Sequence, residues 1–468
     1  MPRAAKQAKP SLPSNTLVVD NGAYSIKAGF APPDSSTEPS YRISPNCIAR
    51  ARDRRIWIGS QLDQCRDFGE MAFRRPVEKG FIVNWEGEKA IWDHEFLGND
   101  AALKCDPHDT TLVLTEAPNS PQALQTNCDQ MVFEEFEFAS YYRCLGPVLN
   151  AYNDIPSLFS DPSATSPAPP PSGPAESLLV IDTGYSHTTI TPLHHGRPFH
   201  SAIRRLTIGG KFLTNHLKEL ISLRAYNFMD ETHLVNEIKE DVCFISSDFS
   251  RDLERTWKGN NNNKKKNKAN DTDADPSIVV DYVLPDYADR QRGFARPHDP
   301  SAAAKAKRLG LQSGLGTAAP SSGTATAANK TTEDLLPLGN ERFAVPELLF
   351  HPQDIALPEP GLPEAIMQSL RQLPEGLWPG LLANVVVVGG NSLLPGFVER
   401  LRDELRMVVP ARFVVRVERA RDPLGAAWRG GVRLAGDRGE GLRGVAVTRE
   451  EYLENGGAWV ARRFAGVV

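Results

Sequence analysis

No run of about 18 consecutive apolar residues occurs in this sequence, so nothing in it reads as a membrane-crossing helix. The opening MPRAAKQAKPSLPSN is basic and has no apolar core of signal-peptide length. Residues 1–15 are therefore expected to be a disordered basic arm, with neither secretion by that route nor a membrane partner expected. Cysteine is scarce: Cys47, Cys65, Cys105, Cys128, Cys144 and Cys243 form no C-x-x-C pair and have no histidine at metal-ligand spacing. They read as reduced, buried thiols, which suits the nucleus or cytosol. A surplus of either charge is also missing, 53 basic against 58 acidic residues giving a net charge of −5. That balance excludes a protein coated along its whole surface by nucleic acid and leaves any polyanion contact local. What remains is ordinary globular composition, 40% apolar and 24% charged over 468 residues, enough core for more than one domain.

Three stretches have little to bury. Residues 154–177 contain DPSATSPAPPPSG, a Pro-rich linker or inserted loop. Residues 259–276 read GNNNNKKKNKANDTDADP, and residues 288–335 are rich in Ala, Gly, Ser, Thr and basic side chains. Both read as insertions, the second a disordered one. The rest of the chain carries an internal echo: LVVDNG at residues 17–22 returns as LVIDTG at residues 179–184, 162 positions later. SIKAGF follows the first and HTTITPL follows the turn after the second, so each copy predicts a β-hairpin whose tight turn bears an aspartate. The spacing is too long for a solenoid and points to a duplicated domain. NVVVVGGNSLL at residues 384–394 predicts a buried strand running into a Gly-Gly-Asn loop of close backbone approach. Apolar periodicity predicts helices at 86–97, 122–152, 210–223, 231–245, 362–373 and 395–407.

Two aspartate-bearing turns facing each other across a cleft suit one task. Their N–H groups can cradle a polyphosphate while the Asp20 and Asp182 carboxylates hold the water shell of Mg²⁺. A lone Asp-x-Gly turn is also a common hairpin connector, so the argument rests on the pair together with Gly389, Gly390 and Asn391. No other metal site is expected, because His94, His187, His194 and His195 have no ligand partners at helical spacing. Lys264, Lys265, Lys266 and Lys268 form a candidate nuclear-import or DNA-contact run, and equally an ordinary solvated loop partly neutralised by the following DTDAD.

The longer motifs resemble actin and the actin-related proteins. DNGAYSIKAGF (20–30) is similar to actin's first phosphate loop and DTGYSHTTITP (182–192) to its second. VEKGFIVNWEGEKAIWDHEF, TEAPNSPQALQTNCDQMVFEEF, GNERFAVPELLFHP, NVVVVGGNSLLPGF and EEYLENGGAWVARRF resemble actin segments in actin's order, so the likeness covers the chain outside the arm and the insertions. It implies an α/β, actin-like (RNase H-like) duplicated fold, two halves around a nucleotide cleft. Residues 16–153, completed by 425–468, would form the first half and residues 178–424 the second. By the same resemblance Asp20, Asn21, Gly22 and Lys27 belong to the first phosphate loop, and Asp182 and Gly184 to the second. Lys239 and Glu240 would border the base and ribose, and Gly389, Gly390 and Asn391 would form the adenosine loop. The implied cofactor is ATP or ADP with Mg²⁺, the ion reached through water by Asp20 and Asp182.

The catalytic details depart from the family. Ala23 and Tyr24 stand where actin has a phosphate-bonding serine and a glycine, and Tyr185 where a second aspartate of the ion's shell is expected. Gly146, on a helix after FEEF, takes the place of the glutamine that orients the attacking water. Thr189 takes that of a cooperating histidine, with His187 two residues away on the same strand face. Phosphoryl transfer is catalysed by alignment and charge, so these losses imply a nucleotide binder with impaired hydrolysis, not an enzyme. ARDRRIWIGSQLDQCRDFGEMAFRRP is short where actin carries its subunit-docking loop, and filaments are not expected.

Among actin-related proteins the motifs DTGY, DQMVFEEFEF and VDYVLPDY resemble a nuclear branch. That resemblance implies a scaffold subunit of a Swr-type chromatin-remodelling complex, which exchanges histone dimers for those carrying the Z-type variant. The implied partners are remodeller subunits including a zinc-HIT protein, and the nucleosome through histones or DNA. The implied location is the nucleus, with a cytoplasmic pool. Two alternatives stay open: an ATP-hydrolysing cytoskeletal actin-like protein, and a small-metabolite kinase of the same duplicated fold, for which no general base is evident.

Overall fold

Two β-hairpins open the two sheets around which the chain is organised. The computed structural model describes residues 12–32, 38–98, 100–160, 173–225, 227–261, 278–287, 289–298, 334–436 and 440–465. Lys264, Lys265, Lys266 and Lys268, most of the basic arm and most of the three insertions lie outside the described residues.

The first hairpin pairs Asn15–Asn21 with Ser25–Phe30, and Arg42–Pro45 adds beyond the second strand. On the other side Thr110–Glu116 and then Ser140–Leu145 join in parallel, and Val447–Thr448 closes that edge. The second sheet repeats the plan: Ser177–Thr183 pairs antiparallel with Thr188–His194, then in parallel with Val385–Val388, which pairs with Val417–Arg419. Central parallel strands are covered on both faces, which is why LVV and VVVV are unbroken apolar runs without alternation.

Each sheet has its own core. Around the first, Leu17, Val19, Leu112 and Trp92 pack with Trp428, Val460 and Phe464 from the end of the described chain. Around the second, Leu179, Ile181, Leu213, Ile238 and Leu401 form a separate cluster. A third cluster joins the sheets, with Leu145, Val148, Ala151 and Ile155 against Leu178, Val180, Val386 and Ala426. The Gly-Gly of helix Ala426–Gly436 makes that junction close: a Cβ on Gly430 would lie 1.8 Å from the Leu149 carbonyl oxygen.

The structure corrects the expectation of one helix over 122–152. Gln122–Gln130 is helical and widens into a π turn at Met131–Glu135, after which Ser140–Leu145 is a strand and Gly146–Asn150 a short helix. Three- and four-residue spacing holds only through Phe133; from Ser140 to Leu145 every position is buried, as a central strand demands. The segment read as a shortened docking loop folds into a small sheet of Ile48–Arg50, Ile56–Ile58 and Ala72–Arg74 over Cys47, Ala49, Trp57, Leu62 and Met71. All six cysteines are buried and free.

Candidate functional site

Hairpin register places the charged groups. Asp20 pairs with Lys27 in the first hairpin, and paired residues project from the same face. The Lys27 ammonium lies 3.8 Å from Asp20 Oδ2 and donates at 3.4 Å to the Ser25 carbonyl. Asp20 Oδ1 accepts from the Thr115 hydroxyl at 2.8 Å, whose oxygen accepts from the Asn21 N–H at 3.1 Å. Gly22 is forced by the tight turn, since a Cβ there would sit 2.7 Å from the Ser25 carbonyl oxygen.

In the second hairpin Asp182 pairs with Thr189, so a neutral hydroxyl stands where the first hairpin has a lysine. Burial and then the charge of Asp20 push the Asp182 carboxyl up to about 6, with Lys27 opposing. Gly184 closes the turn through its N–H to the His187 carbonyl at 3.1 Å. The carbonyls of Gly184 and Tyr185 accept the first N–H groups of helix Gly210–Arg224, from Gly210 at 2.9 Å and Lys211 at 2.8 Å. Asn391 braces the same loop, donating to the Gly184 carbonyl at 2.9 Å and the Thr183 hydroxyl at 3.1 Å. Gly389 adopts φ +90° and passes so close to the end of strand Ser177–Thr183 that a Cβ would meet the Thr183 carbonyl oxygen at 2.4 Å. Gly390 follows at the start of the turn Gly390–Leu393.

The base-side pair behaves differently. Lys239 is buried on helix Thr232–Val242, its ammonium bonded to the Gly210 carbonyl, the Thr214 hydroxyl and Asn236 Oδ1 at 3.3, 3.0 and 2.9 Å. Burial lowers its pKa. Glu240 is exposed and accepts from Asn236 Nδ2 at 2.8 Å. The structure thus gathers Asp20, Asn21, Gly22, Lys27, Asp182, Gly184, Gly389, Gly390 and Asn391 at the facing ends of the two sheets, while Lys239 turns into its own half.

Two expectations about hydrolysis change. Gly146 follows a strand, not a helical turn, and its missing side chain faces Thr115, whose Cβ lies 3.9 Å from where a Cβ would be. His187 does not share a strand face with Thr189, because the strand starts at Thr188 and His187 ends the turn. Its ring packs against Gly80 with Nδ1 buried and unpartnered, and burial followed by Arg205 holds the imidazole down to about 3.

Sequence reasoning missed Arg75, which stands between the two loops, and Asn46 and Asn236, which tie Tyr24 into both halves. Arg75 donates to the Tyr24 carbonyl at 2.9 Å and the Asn46 carbonyl at 3.3 Å. Its guanidinium lies 4.5 Å from the Tyr24 ring centre and 5.2 Å from that of Tyr185. The two rings are 4.9 Å apart. An Arg-Arg-Pro run before a strand gave no signal for this. The floor of the site, two carboxylates and a lysine, has the donor chemistry for a hydrated divalent ion and phosphate. The tips do not fit a polyphosphate: the Tyr24 and Tyr185 rings meet at 4.9 Å between the loops, and the Tyr24 carbonyl faces Arg75 where an N–H would have to face phosphate.

Duplicated sheets, each opened by an aspartate-bearing hairpin and completed by a Gly-Gly-Asn loop, define an actin-fold protein. The chain belongs to the actin family, whose model, described as Actin, matches residues 11–465. Its relatives are of the actin-related protein 6 type. Actin-related protein 6 of Neurospora crassa is 51% identical over 463 residues, covering 99% of this chain and 97% of that protein. Actin-like protein arp6 of Aspergillus fumigatus is 51% identical over 483 residues, covering 100% and 99%. Actin-related protein 6 of Drosophila melanogaster is 34% identical over 445 residues, covering 94% and 97%. Actin-family membership suggests a nucleotide and a divalent metal as ligands.

Proposed function

We propose that this chain is a non-catalytic scaffold subunit of a Swr-type nuclear chromatin-remodelling complex, one that exchanges histone dimers for those carrying the Z-type variant. The observation that carries the non-catalytic part is the pair of tyrosines at the loop tips, joined to a glycine at position 146 and a threonine at position 189. Alignment of water and close approach to phosphate are what the actin cleft contributes to hydrolysis, and these four positions remove both. The nuclear part rests on the likeness to proteins of the actin-related protein 6 type. The partners on this reading are a zinc-HIT protein, other remodeller subunits and the nucleosome. Lys264, Lys265, Lys266 and Lys268 serve import or a DNA contact, and a cytoplasmic pool awaits import. ATP or ADP with Mg²⁺ is at most a structural ligand of an opened cleft, with Asp20 and Asp182 on the ion's water shell, and no hydrolytic step is assigned to it.

The test is to purify the assembly through a tag on this chain from nuclear extract and measure dimer exchange with and without the chain. The reading expects a zinc-HIT protein and a remodeller motor to copurify, exchange to fall when the chain is depleted, and Asp20→Ala with Asp182→Ala to restore it as well as wild type. Recovery in a pelletable polymer with phosphate release would favour the cytoskeletal alternative.

A further inference from the structure

Among the described residues, the cations nearest the two loops are already spent on the protein itself. Lys27 is held by Asp20 and the Ser25 carbonyl, Lys239 by one carbonyl and two side-chain oxygens, and Arg75 by the carbonyls of Tyr24 and Asn46. A polyphosphate site needs donors turned toward the ligand. Here the first loop turns carbonyl oxygens toward a guanidinium, the opposite polarity.

The same groups join the halves. Tyr24 belongs to the first hairpin turn and Tyr185 to the second, and their rings meet at 4.9 Å with 46° between planes. Arg75, from the first half, lies over both rings. The Tyr24 hydroxyl accepts from Asn236 of the second half at 3.2 Å. Three further contacts lie along the mouth of the cleft. His233 stacks on Phe68, in the loop before strand Ala72–Arg74, and on Phe73 of that strand, with ring centres 4.4 and 5.6 Å apart. The Gly80 N–H donates to the Ser186 hydroxyl at 3.1 Å. Arg205 donates to the Lys79 carbonyl and lies over Phe81 at 4.8 Å.

We propose that Tyr24, Arg75 and Tyr185 form a clasp that takes the place of the nucleotide polyphosphate, closing the two halves with the chain's own side chains and competing with any nucleotide for the space between the loops. The proposal rests on the non-catalytic reading of the cleft and is independent of any remodelling role. It follows by population shift: a ligand that binds only the parted loops has its affinity cut by the fraction of molecules in which they are parted. Removing the clasp raises that fraction and so raises affinity.

The experiment uses the purified full chain, with Mg-ATP as probe, in calorimetry and in a phosphate-release assay. Wild type, Tyr24→Gly with Tyr185→Ala, Arg75→Gln, and the ring-preserving Tyr185→Phe are compared. The clasp predicts that the double variant binds Mg-ATP at least about tenfold more tightly than wild type, that Arg75→Gln gains a smaller amount, and that Tyr185→Phe, which keeps the ring and loses only its hydroxyl's bond to Arg75, gains least. Hydrogen exchange of wild type supplies a readout that needs no variant: the amide of Gly80, which donates across the cleft to the Ser186 hydroxyl, is slow without nucleotide if the clasp closes the cleft. Fast exchange there, or wild-type binding of Mg-ATP as tight as that of a folded Arg75→Gln variant, overturns the proposal. Tight wild-type binding without phosphate release would remove the clasp and leave the non-catalytic reading standing. Tight binding with sustained release would remove both.

Discussion

Glu88 is the most unusual single residue outside the loops: a fully buried carboxylate on helix Trp85–Trp92, linked through Asn46 to the first hairpin turn. Its Oε1 accepts from Trp92 Nε1 at 3.0 Å and Asn46 Nδ2 at 3.4 Å, and Asn46 Nδ2 also reaches the Gly22 carbonyl at 3.0 Å. Burial pushes its pKa up to about 7 against the bonds from Asn21, Trp92 and Asn46. A raised carboxyl contributes its stability in full below its unfolded pKa and loses it as pH rises through about 7. Glu88→Gln is therefore expected to match wild type near pH 4 and to exceed it by about 3 kcal/mol near pH 8, read from urea unfolding at both pH values. A pH-independent difference would contradict this. Two glycines offer a paired comparison. Gly389→Ala meets a carbonyl oxygen at 2.4 Å and a φ of +90°, and should cost about 2–4 kcal/mol. Gly146→Ala meets only Thr115 at 3.9 Å, at the first residue of a helix, and should be neutral or stabilising by up to about 1 kcal/mol. At this scale the sequence was legible wherever a residue acts through its own turn, as Asp20, Gly22 and Asp182 do. Tyr24 and Tyr185 stand out in the sequence as departures from the actin loops, yet that they touch each other, or that Arg75 joins them, has no trace in sequence separation.

Elements were legible where one face is wet and obscure where none is. Helices Gly210–Arg224, Leu362–Leu370 and Phe397–Val408 fall where periodicity places them. The strand Ser140–Leu145 is hidden inside the helical spacing of 122–152 because SYYRCL is buried on both sides and has no period to show. A buried ion pair fixes that strand to its neighbouring helix. Arg143, 1% exposed, donates to Asp129 Oδ1 at 2.6 Å and to the Gln125 carbonyl at 3.1 Å, and packs over Phe464. Removing one partner strands a buried charge, whereas replacing both with apolar groups does not. Asp129→Ala is expected to cost about 3 kcal/mol in urea unfolding, less if Glu116, 3.3 Å from Arg143 Nε, takes up the charge. Asp129→Leu with Arg143→Met is expected to recover at least half of the loss. A double variant as unstable as the two singles added together would refute the pairing.

For the molecule as a whole, duplication was the most legible feature, since the LVVDNG and LVIDTG echo maps onto two sheets with the same strand plan. The return of residues 428–464 into the first core carries no local signal and came from family resemblance alone. Closure of the cleft by protein contacts is a property of the assembled halves, and it is the point on which the functional account turns. The measurement that tests it most directly uses full-length protein purified without added nucleotide: denature it, identify any released nucleotide by chromatography, and follow phosphate release from added Mg-ATP. The account predicts well under one nucleotide per chain and no phosphate release above a denatured control. Sustained release that disappears in Asp20→Ala or Asp182→Ala would contradict it, because the altered loops would then hold a working hydrolytic site.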